Sequence, residues 1–382
     1  MEFLGKTNVT LKYKDKKKFL LLFLSHKALF FSLFSFLVLF FLIKDKFHKI
    51  ESHWEFFVGL IWFFSLVLSN AFVSVKHAEK LAHHFGEPYG SLILTIAATA
   101  IEFSSIWDVM STNVKNLTFP RDTVYSIIMI VLGGVVGITL LVGGIYHKEQ
   151  KINLEGSKAF LSVIVPMAVL ILILPNFTRS SPGPTFSKFQ TFFYIFACLF
   201  LYLIFLVVQT VSHRKYFLLD DLDALKEESR KEKKFALYHG IMLIVSLLGV
   251  VFFAEKLSFS INYAIENFKT PKVVGGFIVA SLVLLPESMT AIKAAIHNSL
   301  QKSMNILLGS VCATIGLTLP LLLSIGLLNN SSIILGLGQV EATLLLLTLL
   351  LCQITFSGTK TNILQGAAHL LLFLSYFIMM FD

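Results

Sequence analysis

The sequence predicts an all-α polytopic membrane protein with about eleven transmembrane helices, one leading helix followed by two inverted five-helix repeats. Three observations predict it. The chain has 382 residues, of which 55% are hydrophobic and only 14% charged, against about 25% charged in ordinary soluble domains. Its apolar residues fall into runs of membrane length. Short polar motifs recur in the same order in the two halves.

The runs place spans at about 28–43, 55–75, 88–107, 124–146, 158–174, 189–211, 236–255, 273–292, 303–328, 333–355 and 362–381. Residues 1–54 form a basic amino-terminal segment and the first span. The first repeat covers 55–211, a charged linker 212–235, and the second repeat 236–382. Lys6, Lys12, Lys14, Lys16, Lys17 and Lys18 precede the first apolar run, but that run carries no small-residue cleavage site, so it is expected to be a retained span. With the amino terminus inside, 22 of the 32 lysines and arginines lie in inner segments. This bias predicts a cytoplasmic amino terminus and, after an odd number of spans, an external carboxyl terminus. The net charge of +9 follows from the same flanking residues, and the absence of an aromatic-basic surface excludes nucleic-acid binding. Cys198, Cys312 and Cys352 all fall in apolar spans without ligand spacing and are expected to be packing residues.

Ala78-Glu79-Lys80-Leu81 recurs as Ala254-Glu255-Lys256-Leu257, an offset of 176 residues. Gly137-Ile138-Thr139-Leu140-Leu141 recurs loosely as Gly316-Leu317-Thr318-Leu319-Pro320, an offset of 179. Gly90 precedes Glu102 by twelve residues, as Gly275 precedes Glu287. Matched spans are five apart, so they cross the bilayer in opposite directions. Inverted repeats of this kind place a binding site at the midplane and let the two faces open alternately. In the linker, Asp220, Asp221 and Asp223 lack the glycine and distal glutamate of a calcium loop, which makes a solvated linker the expectation.

The two repeated acids carry the functional expectation. Twelve helical residues advance about 18 Å, which places Glu102 and Glu287 near the middle of a hydrocarbon layer about 30 Å thick. An intramembrane carboxyl costs about 2.5 kcal/mol or more and marks an ion or proton pathway. The pair is expected to form one cation site that exchanges its ion for protons. Thr99, Ser281, Ser288, Asn305 and Ser310 are the expected additional oxygen ligands, with Thr314 and Thr318 also available. Thr95, Ser104, Ser105 and Thr290 add hydroxyls, some of which satisfy only their own helix. Pro286 is expected to break its helix and free a carbonyl next to Glu287. Gly133, Gly134, Gly137, Gly309 and Gly316 permit close packing of backbones. Glu79 and Glu255 beside lysines, and the buried His369, are candidate gates or proton-relay members, with a local ion pair and a core histidine as the simpler roles. His77, His83 and His84 sit in an inner loop, where histidines titrate near neutrality.

KLAHHFGEPYGSLILTIAATAIEFSSI at 80–106, PRDTVYSIIMIVLGGVVGITLLVGGIYHKEQ at 120–150 and VLILILPNFT at 169–178 resemble the bacterial calcium/proton antiporter family of the ChaA type. In the second half IVASLVLLPESMTAIKAA, LQKSMNILLGSVCATIGLTLPLLL and TNILQGAAHLLLFLSYFIM are similar to its matching signatures. The resemblance runs from about residue 60 to the end. It implies ten core helices in two inverted repeats, with Glu102 and Glu287 as the central acids. Better-known calcium exchangers of the wider calcium/cation antiporter superfamily carry Gly-Asn before each acid, where this chain has Ala98-Thr99 and Val283-Leu284, and relatives of the ChaA type often have asparagine where this chain has Gly133. The implied activity is calcium/proton exchange, or sodium or potassium/proton exchange on the same fold, in a bacterial inner membrane. No cofactor is expected beyond the transported ions. An intramembrane enzyme would need a nucleophile-base pair or metal cluster, for which only His83-His84 and the linker aspartates offer themselves. A channel is disfavoured by the inverted repeat. Oligomeric state is not legible.

Overall fold

The computed structural model describes residue 35 and residues 53–85, 89–112, 117–217, 233–267 and 271–381. The first expected span and the linker aspartates lie outside these residues, Ser35 excepted. Among the described residues ten helical spans follow one another: α1 (His53–Phe85), α2 (Tyr89–Thr112), α3 (Phe119–Ile128) continuing through a π-helical turn Met129–Val135 into α4 (Val136–His147), α5 (Leu154–Leu172) and α6 (Lys188–Val207). The second set is α7 (Lys233–Asn267), α8 (Lys272–Ile296), α9 (Leu300–Ala313) continuing through a π-helical turn Thr314–Thr318 into α10 (Leu319–Leu328), α11 (Gln339–Thr355) and α12 (Ile363–Met379). Seven described helical runs are long and apolar enough to cross a membrane.

The helix starts follow local chemistry. Asn153 caps α5 by accepting from the Glu155 and Gly156 amides, and Ser187 with Gln190 and Asn362 with Gln365 close reciprocal capping boxes on α6 and α12. The expected span 333–355 begins later than its apolar run. Gly336 and Gly338 interrupt it, and residues 331–338 form neither helix nor strand. That irregular segment satisfies its backbone elsewhere: the Ile334, Leu335 and Leu337 amides donate to the Leu117, Pro184 and Leu172 carbonyls.

Contacts sort the helix ends onto two faces. On one, Gln150–Lys151 (β1) pairs antiparallel with Lys360–Thr361 (β2), and the Gln150 amide donates to the Ala295 carbonyl at 2.8 Å. On the other, the Arg121 guanidinium donates to the Gly336 carbonyl at 2.7 Å, and the Asn176 amide to the Leu337 carbonyl at 2.6 Å. We call these the strand face and the loop face. The faces alternate along the chain, as up-and-down spans require.

Symmetric contacts interlock the two halves. Helices α1 and α7 run antiparallel along their length, with Phe56 stacked on Tyr263 at 5.4 Å near the loop face, Ser74 donating to Ser246 at 2.8 Å, and the His77 and His239 Nδ1 atoms 2.6 Å apart near the strand face. Gly137 on α4 meets α12 so closely that an added Cβ would lie 2.9 Å from the Leu370 backbone nitrogen. Its counterpart Gly316 abuts Tyr202 on α6, where a Cβ would lie 2.7 Å from the ring. Each glycine lets its helix approach the last helix of the opposite repeat, the packing that small residues permit between membrane helices.

Candidate functional site

Glu102 sits in the middle of α2 and is 5% exposed. Its Oε2 accepts a hydrogen bond from the Thr314 hydroxyl at 2.9 Å. Thr314 belongs to the second repeat and opens the π-helical turn Thr314–Thr318, so the bond joins one repeat's acid to the other repeat's broken helical ladder. The widened turn aims both Thr314 and Thr318 at α2, and the Thr318 hydroxyl also lies close enough to act on the Glu102 charge. Glu102 Oε1 and the hydroxyls of Thr99, Thr139 and Thr318 are buried without a hydrogen-bond partner. Thr99 precedes Glu102 by three residues and therefore shares its helix face. Buried polar oxygens left open in this way are what a small cation or a water requires.

Glu287 occupies the corresponding place on α8 and acts electrostatically on Glu102, so the structure brings the two predicted acids together. The Ser310 hydroxyl lies within reach of Glu287, which joins Ser310 to the site. Ser288 is buried and Ser281 half-buried on the same helix.

Other candidates are committed elsewhere. Asn305 is held as a bracket: its amide donates to the Phe217 carbonyl at 2.6 Å and its oxygen accepts from Gln301 at 2.8 Å. Both ends are used at the strand face, which takes it out of the ligand set. Pro286 does not break its helix, because α8 is continuous from Lys272 to Ile296. The missing amide instead leaves the Leu282 carbonyl, one turn earlier, without its helical donor. Thr290 donates back to the Pro286 carbonyl, and Ser104 and Ser105 to their own helix. Glu255 pairs with Lys256 at 3.2 Å, and Glu79 is half-buried. His369 is fully buried, with Nδ1 2.6 Å from the Leu132 carbonyl and Nε2 3.0 Å from the Thr355 hydroxyl. One ring nitrogen donates and the other accepts, the pattern of a neutral imidazole that ties α12 to the first π-helical turn and α11. It is a satisfied core histidine.

Two acids escaped the sequence reading. Asp108 is buried at the loop-face end of α2, where the Glu255 charge reaches it. Asp122 is buried in the first turn of α3 and accepts from the Arg121 guanidinium at 2.7 Å. Each lies near the end of an apolar run, where an acid reads as an ordinary flank.

The two halves of the site are not equally accessible. On α9, Asn305, Ile306, Gly309 and Ser310 are partly accessible and Lys302 is exposed, marking a helix face that reaches from the strand face to Glu287. At the positions 179 residues earlier, Thr123, Ser126, Ile127, Ile130 and Val131 are all buried. Glu287 is half-buried where Glu102 is closed off.

The profile of the sodium/calcium exchanger protein family matches residues 54–211 and 238–381. The chain is 38% identical over 319 residues to the sodium-potassium/proton antiporter ChaA of Escherichia coli, covering 82% of this chain and 86% of that protein. It is 23% identical over 248 residues to a Ca(2+)/H(+) antiporter of Synechocystis sp., 61% of this chain and 66% of that one. The crystal structure of the H+/Ca2+ exchanger CAX superposes with a TM-score of 0.69 at 16% identity, covering 95% of this chain and 88% of that chain. The chain belongs to the sodium/calcium exchanger family and is a cation/proton antiporter.

Proposed function

We propose that Glu102 and Glu287 form one midplane site at which a cation and protons compete, and that the repeats rock around it to expose the site to each face in turn. The observation that carries this reading is the bond from Thr314 of one repeat to the buried Glu102 of the other. A carboxyl in a medium of low dielectric is stable when protonated or when a cation sits against it, so each ion that leaves is replaced by the other. Such exchange needs no cofactor and no catalytic group; the proton gradient supplies the energy.

We put sodium and potassium first, because the relative with 38% identity is a sodium-potassium/proton antiporter by name. Calcium is the second reading, favoured by the two formal negative charges. We place the protein in a bacterial inner membrane with the strand face cytoplasmic, the amino terminus inside and the carboxyl terminus outside, on the lysine and arginine bias. Proteoliposomes holding a proton gradient and a pH-sensitive dye test the reading. Sodium or potassium should collapse the gradient at lower concentrations than calcium; a response to calcium alone reverses the assignment.

A further inference from the structure

The unequal halves of the site assign a role to a residue that the present conformation leaves idle. This inference rests on the midplane site proposed above. Under the 179-residue offset Thr318 corresponds to Thr139, and Thr314 to Val135. In the observed state Glu102 receives a hydroxyl from Thr314 and lies beside that of Thr318. The Thr139 hydroxyl is fully buried with no hydrogen-bond partner, on a helix that packs against α8. No protein group among the described residues bonds it, and a buried hydroxyl without a partner is costly.

Exchanging the roles of the two repeats generates the state opening toward the loop face. In that state Glu287 is the enclosed acid and meets positions 135 and 139 as Glu102 now meets 314 and 318. Valine at 135 has no hydroxyl to give. We propose that Thr139 is the cation-site ligand that holds Glu287 when the site opens to the loop face, and that it is the only hydroxyl these two positions supply there. The two faces then bind the cation through unequal oxygen sets, richer when Glu102 is enclosed and poorer when Glu287 is. A residue that merely packed the helix would affect both states alike.

The test compares half-saturating sodium concentration on the two faces of oriented vesicles, right-side-out and everted. Orientation is fixed first by labelling Ser357→Cys, exposed at the strand face, with an impermeant maleimide. Thr139→Val should raise half-saturation about tenfold from the loop face and less than twofold from the strand face. Thr139→Ser should match the parent, and Val135→Thr in the Thr139→Val background should recover most of the loss. Equal shifts on both faces, no shift, or a shift confined to the strand face overturns the assignment. Should Thr139→Val not assemble, Val135→Thr alone decides: it should lower loop-face half-saturation severalfold, and an unchanged value overturns the inference. Glu287→Gln is run alongside. If it still exchanges sodium for protons, the midplane site itself is wrong, an outcome distinct from a silent Thr139→Val in a protein that needs Glu287.

Discussion

Replacing Thr314 by valine removes the hydrogen bond that Glu102 Oε2 accepts while keeping nearly the same volume in a fully buried position. Hydrogen bonds to charged groups contribute about 1.5–3 kcal/mol. The Thr314 hydroxyl is shared, since it also lies 3.0 Å from the Ser310 carbonyl, which puts its effect near the lower end of that range. About 1.4 kcal/mol corresponds to a factor of ten, so Thr314→Val should raise the half-saturating cation concentration about tenfold. The maximal rate should change less, because the acids themselves remain. Thr314→Ser retains the donor and should stay within about threefold of the parent. The assay is cation-dependent proton flux in proteoliposomes across a range of cation concentrations. Parental half-saturation in Thr314→Val, or equal loss in the serine and valine variants, would refute the role assigned to this bond.

Three further outcomes follow from the packing. His369→Phe keeps the bulk of the ring but strands the Leu132 carbonyl and the Thr355 hydroxyl; it should lower stability by about 1–3 kcal/mol, read as a fall in thermal midpoint in detergent, with cation half-saturation unchanged. Asn305→Ala frees the Phe217 carbonyl and the Gln301 amide and should likewise destabilise the protein without altering ion affinity; a tenfold weaker affinity would return Asn305 to the ligand set. Gly137→Ala forces a methyl to 2.9 Å from the Leu370 backbone, and overpacking of this kind costs about 1–3 kcal/mol. Gly309→Ala meets only Phe160 at 3.8 Å and should be neutral in the same unfolding assay.

Much of this architecture was legible beforehand because membrane insertion writes strong signals. Ten of the eleven expected spans appear in the described residues, and the offsets that paired Glu102 with Glu287 and Gly137 with Gly316 correspond to contacts that relate the two halves in space. The misplacements concern groups whose partners are distant in sequence. Asn305 looked like a ligand because an amide in an apolar span is expensive, and its partner, the Phe217 carbonyl, lies 88 residues away. Pro286 looked like a break because proline removes a donor, yet the ring's fixed φ is helical and α8 closes around it. Thr314 stood among several hydroxyls of equal appeal until its π-helical turn singled it out. The late start of α11 reflects backbone bonds to Leu117, Pro184 and Leu172, which hydropathy does not register.

The central claim is that one acid from each repeat holds a shared ion in competition with protons. Proton release on cation addition measures this directly, with purified protein in weakly buffered detergent and a pH-indicator dye. The parent should release protons as sodium or potassium saturates the site, and Glu102→Gln and Glu287→Gln should each suppress both the release and its saturation. Undiminished release from either variant would contradict the account.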